Sequence, residues 1–329
     1  MSKTRTWRRR LLNAALILIF LVVSLAACEV VLRLMNLYVP APYPPTTTRA
    51  EMFQRFDPYG YRLWPSRVTT YFFPNKSGRQ LTLASNKYGF RERDFDEHDT
   101  RRRVIVLGDS MVFGQGVEEE ERFTEILETQ ESGWRVDNLG MTGFGPDLML
   151  RALEEVGLGM KPDVVVFCMY TDDFRRVQPQ TAGIGFPIPR FVLRSGQLAT
   201  VPYPEPQFWQ RLHLGVLLYQ VYWKFSSVEY DLNAAILDRF LKHSRDHNFV
   251  PALLFLPGTS DNRTSRRHRA WLGDYAGRTG TPFLDLTEPI QGSKEPVFIQ
   301  GDFHYNPQGH HTVASNLRDF MNRHVLRYK

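Results

Sequence analysis

The sequence predicts a three-layer α/β/α fold built on a five-stranded parallel sheet, together with one N-terminal transmembrane helix. From residue 101 onward, short apolar runs alternate with stretches of helical pattern, which is typical of parallel α/β proteins. Two of these runs, Pro162–Tyr170 and Val250–Leu256, are apolar almost throughout, as strands are when helices cover both faces of a sheet. Near the N-terminus, the uncharged run Leu11–Cys28 would extend roughly 27 Å as a helix, close to the thickness of a hydrocarbon core.

The N-terminal flank of that run indicates which way the chain crosses a membrane. Residues 1–10 carry five basic side chains and no acidic one, which accounts for +5 of the formal net charge of +6. This cluster is expected to stay in the cytoplasm and to send the rest of the chain outward. Because the rest of the chain is nearly neutral, the positive net charge indicates a targeting segment. It gives no reason to expect nucleic-acid binding.

Three kinds of targeting segment fit residues 1–35. An uncleaved signal anchor is favoured, because apolar residues resume at Val30–Leu32 and no strong cleavage site follows. A lipoprotein signal is the second alternative, since Leu25–Cys28 is similar to a bacterial lipobox in which Cys28 would be acylated. A simple cleaved signal peptide is the third. All three place the main domain outside the cytoplasm, and we expect a single-pass protein of the bacterial inner membrane that faces the periplasm.

Composition divides the rest of the chain into three segments. Residues 36–50 are rich in Pro and Thr and are expected to form a spacer. Residues 51–100 are expected to form an irregular lead-in packed on the main domain. Residues 101–329 contain the α/β pattern, which an insertion rich in Pro, Gly and aromatic residues interrupts at about 175–228.

Apolar periodicity places the elements in order along the chain. The lead-in is predicted to contain two short strands, at Val68–Phe73 and Gln80–Ala84. The strands of the sheet are predicted at Val104–Leu107, Arg135–Leu139, Pro162–Tyr170, Val250–Leu256 and Thr281–Leu286. Helices are predicted at Phe123–Thr129, Asp147–Gly157, near 207–224, Glu229–His247, Arg266–Thr279 and His310–Val325.

Polar residues that can carry chemistry follow the predicted strands. Gly108-Asp109-Ser110, Gly140 and Thr171-Asp172-Asp173 each come at a strand end, and the loop Asp302–His304 precedes the last helix. Ligand sites in parallel sheets form beyond the carboxyl ends of the strands. A serine hydroxyl needs a base within hydrogen-bond reach, and that base needs a carboxylate to orient it. If the loop is extended, residues two apart point the same way, so that Asp302 can reach His304.

Each of these residues also has an ordinary structural interpretation. An isolated serine is more often a surface residue, His304 alone a loop histidine, and Asp302 alone a turn residue. Gly140 fits a simple turn, the Asp172–Asp173 pair fits a helix cap, and His310 and His311 fit structural roles. The two cysteines, Cys28 and Cys168, lie in separate apolar segments, so we expect no disulfide, and no metal or cofactor is expected.

Taken together, the motifs resemble those of the SGNH/GDSL hydrolase superfamily, whose fold is flavodoxin-like. The matching stretches are GDSMVFGQG, NLGMTGFG, YTDDF and GDFHYNPQGHHTVA, in that order from about residue 103 to the end. The segment NKYGFRERDF and the apolar helix ending in CEVVLRL are similar to the lead-in of membrane-anchored bacterial members.

The resemblance implies a role for each residue. Ser110 is the nucleophile, His304 the base and Asp302 its orienting acid. The amides of Ser110 and Gly140 are implied as donors to the oxyanion. Asp172 occupies the position of the third donor, normally an Asn side chain, and an ionised carboxylate there would repel an oxyanion. Three outcomes are open for Asp172: it is protonated in a dry site, it points elsewhere, or the hole works with backbone donors alone.

We therefore expect a serine esterase that works through an acyl-serine intermediate. The expected substrates are O-acyl esters, above all acetyl esters, of a cell-envelope glycan, and either water or a sugar hydroxyl receives the acyl group. The Asp-x-His spacing is shared with alginate-type O-acetyltransferases, which hints at transfer. The alternative is a catalytically weak or inactive glycan-binding component of an envelope assembly, which Asp172 motivates. The expected partners are the ester-bearing substrate and, through residues 11–28, the membrane.

Overall fold

The structure is a computed structural model, and it describes residues 2–38, 51–72, 79–96, 98–177, 188–201, 207–226 and 228–325. The chain forms two compact units, one of residues 1–44 and 205–227 and the other of residues 45–204 and 228–329. The described strands are β1 (Phe53–Phe56), β2 (Gly60–Leu63), β3 (Val68–Phe72), β4 (Gln80–Ala84), β5 (Arg102–Gly108), β6 (Trp134–Gly140), β7 (Val164–Tyr170), β8 (Arg190–Arg194), β9 (Gln197–Val201), β10 (Val250–Leu256) and β11 (Phe283–Asp285). The described α-helices are α1 (Ser2–Leu34), α2 (Ser110–Phe113), α3 (Phe123–Gln130), α4 (Pro146–Ala152), α5 (Asp173–Arg176), α6 (His213–Phe225), α7 (Val228–His247), α8 (Arg263–Thr279), α9 (Thr287–Gln291) and α10 (Pro307–Phe320).

The second unit is built around a five-stranded parallel sheet in the order β11-β10-β7-β5-β6, with helices packed against it. Beyond Arg102 and Arg103 at the start of β5, the central strands β5 and β7 are apolar and buried. Helices α4 and α7 pack on one face of the sheet, and α3 and α10 pack on the other. The predicted three-layer fold with a five-stranded parallel sheet is thus confirmed.

The register of the sheet brings the carboxyl ends of its strands to one edge. Gly108, the last residue of β5, pairs with Gly140 at the end of β6, and Tyr170 at the end of β7 pairs with Leu256 at the end of β10. The residues that follow these positions therefore begin their loops at a common edge, where the sequence places its polar motifs.

Two hairpins were not predicted from the sequence. The pairs β1–β2 and β8–β9 are antiparallel ribbons of four and five residues per strand. In the β8–β9 ribbon, Ser195 and Gly196 both adopt positive φ angles of 51° and 77°, which forms the tight turn. These strands are short and partly exposed, so they lack the long apolar run that marks a sheet strand.

The observed ends of some helices differ from the predicted ends by a few residues. The last helix begins at Pro307, three residues before the predicted start, because the Asn306 side chain accepts a hydrogen bond from the Gly309 amide at 2.9 Å. The predicted helix Asp147–Gly157 is an α-helix only to Ala152 and continues as a π-turn.

The lead-in contacts the loops at the carboxyl edge of the sheet. The Tyr61 hydroxyl donates to the Thr142 carbonyl at 2.7 Å, in the loop after β6. The buried Arg91 guanidinium donates to the carbonyls of Gly114 at 2.6 Å and Val117 at 2.8 Å, just beyond α2. A buried arginine must satisfy its donors, so these bonds fix the chain after α2.

The first unit contains a helix long and apolar enough to cross a membrane, at Trp7–Leu34. This candidate span contains the predicted Leu11–Cys28 run and extends beyond it at both ends. The same unit contains a 3₁₀ turn at Phe208–Arg211 followed by α6. The sequence predicted one helix near 207–224, and α6 is that helix with a later start.

Candidate active site

Ser110 lies at the turn from the central strand into a helix. Gly108 ends β5, Asp109 is the N-cap, and Ser110 is the first residue of α2. The Asp109 carboxylate accepts a hydrogen bond from the Met111 amide at 2.9 Å, which stabilises this turn. As the first residue of the helix, Ser110 has an amide without an intrahelical acceptor, so that N–H is available to a bound group. The Ser110 side chain is buried, with 3% of its surface exposed.

His304 and Asp302 meet Ser110 at this edge. The Nε2 atom of His304 lies 2.9 Å from the Ser110 Oγ, and its Nδ1 atom lies 2.5 Å from Asp302 Oδ1. The same carboxylate oxygen accepts the His304 amide at 2.9 Å. The loop is a tight turn, with Gly301 at φ 77°, and the extended conformation assumed in the sequence argument is wrong. The aspartate reaches the ring because an Asp side chain in a turn bonds backbone two residues on.

The protonation of this group follows from its contacts. Burial alone would raise the pKa of Asp302, but the hydrogen bonds from the His304 ring and amide outweigh it, and the pKa is lowered. An ionised carboxylate only accepts hydrogen bonds, so the proton on the ring sits at Nδ1. The Nε2 atom of the neutral ring then accepts from the serine hydroxyl. This is the arrangement that a general base needs.

A partly buried arginine, Arg176, joins two acidic residues beside the nucleophile. One nitrogen of Arg176 lies 2.7 Å from Asp109 Oδ2 and 2.5 Å from Asp173 Oδ1. The same Asp109 oxygen also accepts from the Ser110 hydroxyl at 3.3 Å. Burial, reinforced by the negative charge of Asp109, raises the pKa of Asp173 well above its ordinary value. No sequence motif marks Arg176, because its contacts join the residue after β5, the loop after β6 and α5.

Gly140 packs against the nucleophile helix. A β-carbon there would lie 2.6 Å from the Phe113 amide and 2.7 Å from the Val112 side chain, so only glycine fits. The Gly140 amide already donates to the Asn138 side-chain oxygen at 2.8 Å. The close packing accounts for the glycine, and the amide is engaged within the protein.

A second glycine in the same motif, Gly143, lies in the loop that follows β6. Its φ of 82° is in the left-handed region, and a β-carbon would lie 3.0 Å from the Tyr61 hydroxyl. Among the described residues, no hydrogen-bond acceptor lies within reach of the Gly143 amide. Gly143 is the second glycine of the motif NLGMTGFG, in which the sequence analysis singled out Gly140.

The Asp172 side chain is half exposed and lies beside Arg175, with the two groups 2.9 Å apart. Of the three alternatives for Asp172, a protonated acid in a dry site is inconsistent with this exposure. Its neighbour Asp173 is the buried acid instead and accepts the Tyr170 amide at 2.8 Å. The side chain of Asp172 is directed to an arginine and to solvent.

Phe303 supplies an exposed apolar surface beside the histidine. The ring is 44% exposed, and its centroid lies 4.2 Å from that of His304. Its other neighbour is the ring of Tyr170, stacked at 6.1 Å. Exposed aromatic residues next to buried polar groups are typical of ligand-contacting surfaces.

Within the described residues, one acidic group has oxygens close enough to share a cation: Glu92, Glu119 and Glu125. One nitrogen of Arg122 lies 3.7, 3.6 and 2.9 Å from these carboxylates. The arginine already supplies the positive charge that a metal would bring. This group is therefore an ion-pair cluster, and it is a poor fit to a metal.

Comparison with known proteins gives one sequence match and several fold matches. The model of the GDSL-like lipase/acylhydrolase family matches residues 106–312, a stretch that includes Ser110, Asp302 and His304. No curated protein sequence matches the chain. Similar solved structures include a putative lipolytic protein of the G-D-S-L family from Desulfitobacterium hafniense (14% identity, TM-score 0.44, 67% of this chain and 99% of the other). Another is the esterase EstA from Pseudoalteromonas (14% identity, TM-score 0.44, 68% and 97%). A third is a catalytic mutant of the acetylxylan esterase Axe2 from Geobacillus stearothermophilus (15% identity, TM-score 0.44, 69% and 96%).

Proposed function

The chain belongs to the GDSL-like lipase/acylhydrolase family, and on that premise we propose that it is a serine esterase in which Ser110, His304 and Asp302 carry the reaction. The observation that carries this proposal is the pair of contacts at the His304 ring, with Oγ of Ser110 on Nε2 at 2.9 Å and Asp302 on Nδ1 at 2.5 Å. A hydroxyl in this position can pass its proton to the imidazole as it attacks.

The reaction proceeds in two halves. The Ser110 oxygen attacks the ester carbonyl while His304 takes its proton, and the tetrahedral intermediate collapses when His304 returns that proton to the leaving alcohol. An acyl-serine remains. Water, or a sugar hydroxyl, then attacks the acyl carbon as His304 takes its proton. When this second intermediate collapses, His304 returns the proton to the Ser110 oxygen, and the acid or the new ester leaves. Asp302 stays ionised throughout and stabilises the imidazolium.

Backbone groups stabilise the oxyanion in this proposal. The Ser110 amide is at the first position of α2, where the helix leaves its N–H without an internal acceptor. The sequence pointed to Gly140 for the second donor, but its amide is bonded to Asn138, so we assign this role to Gly143. Asp172 contributes no donor, because its carboxylate pairs with Arg175.

The proposed substrates are short O-acyl esters, above all acetyl esters, of a cell-envelope glycan. Ser110 and His304 are 3% and 4% exposed, which favours a small acyl group. The exposed face of Phe303 gives the alcohol part, a sugar ring in this proposal, an apolar surface to rest on. Hydrolysis and acyl transfer share all steps up to the acyl-serine, so both belong to the proposal.

The proposed location is the bacterial inner membrane, with the catalytic unit on the periplasmic side. The helix Trp7–Leu34 would be the anchor, and the basic residues before it would remain in the cytoplasm. Acylation at Cys28 after cleavage is the alternative form of attachment. Mass measurement of the purified protein separates the two, because cleavage before Cys28 removes 27 residues.

Release of acetate from p-nitrophenyl acetate tests the chemistry. Ser110→Ala should lower turnover by about 10⁴-fold or more, because nothing else in the site can form the acyl intermediate. Ser132→Ala is the matched control, since Ser132 is exposed and has no part in the proposed site. Equal rates for wild type and Ser110→Ala would refute the esterase proposal.

One observation favours a second function, a glycan-binding protein with little turnover. Asp172 stands where the family has an amide donor, and loss of one such donor can cost about 10²–10³-fold in turnover. Asp172→Asn distinguishes the two functions. If the natural residue suppresses catalysis, the variant gains rate by about that factor, and if backbone donors suffice, its rate changes by less than about fivefold.

A further inference from the structure

The first unit has an apolar surface that the proposed chemistry does not use. Its members are large apolar side chains of the 3₁₀ turn and of α6, exposed by 40–79%: Phe208, Trp209, Leu218, Val221 and Tyr222. We call this set the aromatic surface. Leu218, Val221 and Tyr222 are spaced three and four residues apart, so they share one face of α6. Soluble surfaces rarely group this many large apolar residues.

Hydrogen bonds join the start of α6 to α1 and to the turn that follows α1. The two carboxylate oxygens of Glu29 accept the His213 amide at 3.2 Å and the Leu214 amide at 2.7 Å, which caps the N-terminus of α6. The Nδ1 atom of His213 also lies 2.5 Å from the Leu37 carbonyl oxygen. The free N–H groups and the positive end of the helix dipole both favour a carboxylate at this place.

The position of Glu29 along α1 sets the depth of α6 in a membrane. Glu29 is the first charged residue after the uncharged run Leu11–Cys28, and it pairs with Arg33 at 2.7 Å. If that run fills the hydrocarbon core, these two charges lie at the headgroup boundary. A helix capped by Glu29 then starts at the same boundary.

We propose that residues 207–226 form a second membrane contact, in which the aromatic surface lies among the phospholipid headgroups and upper acyl chains. Trp and Tyr side chains suit that layer, because their rings are apolar while each has one polar group for the wet side. A helix with such a face lies in the plane of the interface. This inference rests on the proposed membrane anchoring by α1 and does not depend on the esterase chemistry.

Photocrosslinking in membranes tests the contact directly. The full-length chain is produced with p-benzoylphenylalanine at Leu218, at Ile17 within α1, or at Val68, an aliphatic residue of β3 that is 72% exposed. After irradiation of intact membranes, intact-mass analysis measures phospholipid adducts. We expect Leu218 to give an adduct yield within about threefold of Ile17 and about tenfold above Val68.

Each other result overturns a defined part of the proposal. Lipid adducts at Ile17 with a yield at Leu218 no higher than at Val68 would refute the interfacial contact and leave the anchor intact. No lipid adduct at Ile17 would refute the anchor on which the contact rests. Adducts of Leu218 to a protein would refute the membrane contact and show that the aromatic surface binds a protein partner. Turnover of p-nitrophenyl acetate is measured on the same samples, so a failure of the esterase proposal is seen separately.

Glu29→Ala tests whether the hydrogen bonds from Glu29 of α1 hold α6 in place. Without the carboxylate, the lipid adduct at Leu218 should fall by about fivefold while that at Ile17 stays unchanged, because a helix start loses its cap. Glu120→Ala, which removes an exposed carboxylate of the second unit, is the matched control and should change neither. An unchanged yield at Leu218 in Glu29→Ala would contradict the role assigned to Glu29.

Discussion

The two sides of the active site differ in how completely side chains build them. On the proton-transfer side, Ser110, His304 and Asp302 form an unbroken chain of hydrogen bonds. On the side proposed to hold the oxyanion, Gly143 lies in a left-handed loop and the Asp172 carboxylate pairs with Arg175. If the proposed reaction holds, side chains activate the nucleophile, whereas backbone groups alone stabilise the resulting charge.

The largest effect is expected on the proton-transfer side. Asp302→Asn should lower kcat by about 10⁴-fold, because an amide stabilises the wrong tautomer of His304 and does not offset its charge. Asp319→Asn, at an exposed carboxylate of α10, is the control and should leave kcat unchanged. A loss of less than tenfold in Asp302→Asn would show that the carboxylate is not needed for catalysis.

The next effect is expected at Gly143. An alanine there is strained at φ 82° and meets the Tyr61 hydroxyl, so the amide should shift and turnover should fall by about 10²-fold. Gly196→Ala separates strain from catalysis, because Gly196 has φ 77° with open space around it. Both variants should lose about 1–2 kcal/mol of unfolding free energy, and only Gly143→Ala should lose activity. Full activity in Gly143→Ala would show that a group other than the Gly143 amide is the second oxyanion donor.

A smaller effect is expected for Arg176, which binds Asp109 beside the nucleophile. Its guanidinium binds the Asp109 oxygen that competes with His304 for the Ser110 proton. Arg176→Gln should lower kcat by about tenfold and change the pH dependence of kcat, because the unpaired Asp109 becomes a stronger acceptor. Arg176→Lys should recover part of the loss. Arg175→Gln, which removes a neighbouring exposed charge, should keep the wild-type pH profile, and an identical profile in Arg176→Gln would refute the role.

The smallest effect is expected at His310, a buried histidine of α10, and it concerns stability. Burial lowers the pKa of His310 to about 3, and its Nδ1 atom accepts the Phe123 amide at 3.3 Å. Because the folded pKa lies below the unfolded value, stability is complete above about pH 6.5 and falls by up to about 1.4 kcal/mol per pH unit on acidification. His310→Asn keeps an acceptor but cannot bind this proton.

Urea unfolding at pH 7 and pH 5 measures that effect. Wild type should lose unfolding free energy between the two values, and His310→Asn should lose less. His311→Asn, at the exposed neighbour, should behave as wild type. If all three proteins lose the same free energy, His310 is not the acid-sensitive group.

The sequence predicts the proton-transfer side better than the oxyanion side for a physical reason. Ser110, Asp302 and His304 are side chains in short motifs, so their chemistry is visible in the residue types themselves. Oxyanion donors are backbone amides, and whether an amide is available depends on loop geometry, as the bonded Gly140 and the left-handed Gly143 show. Arg176 was missed because its contacts with Asp109 and with the Phe144 carbonyl join residues far apart in the sequence. In the same way, the strands of the sheet were predicted from burial, whereas the β8–β9 hairpin, which lies partly in solvent, was not.

Covalent labelling by a fluorophosphonate probe shows whether Ser110 is a nucleophile activated by His304. We expect a single phosphonylated residue, Ser110, in wild type, no label in Ser110→Ala, and labelling slowed by about 10³-fold or more in His304→Ala. If folded wild-type protein takes up no label, or carries it on another residue, Ser110 is not the activated nucleophile.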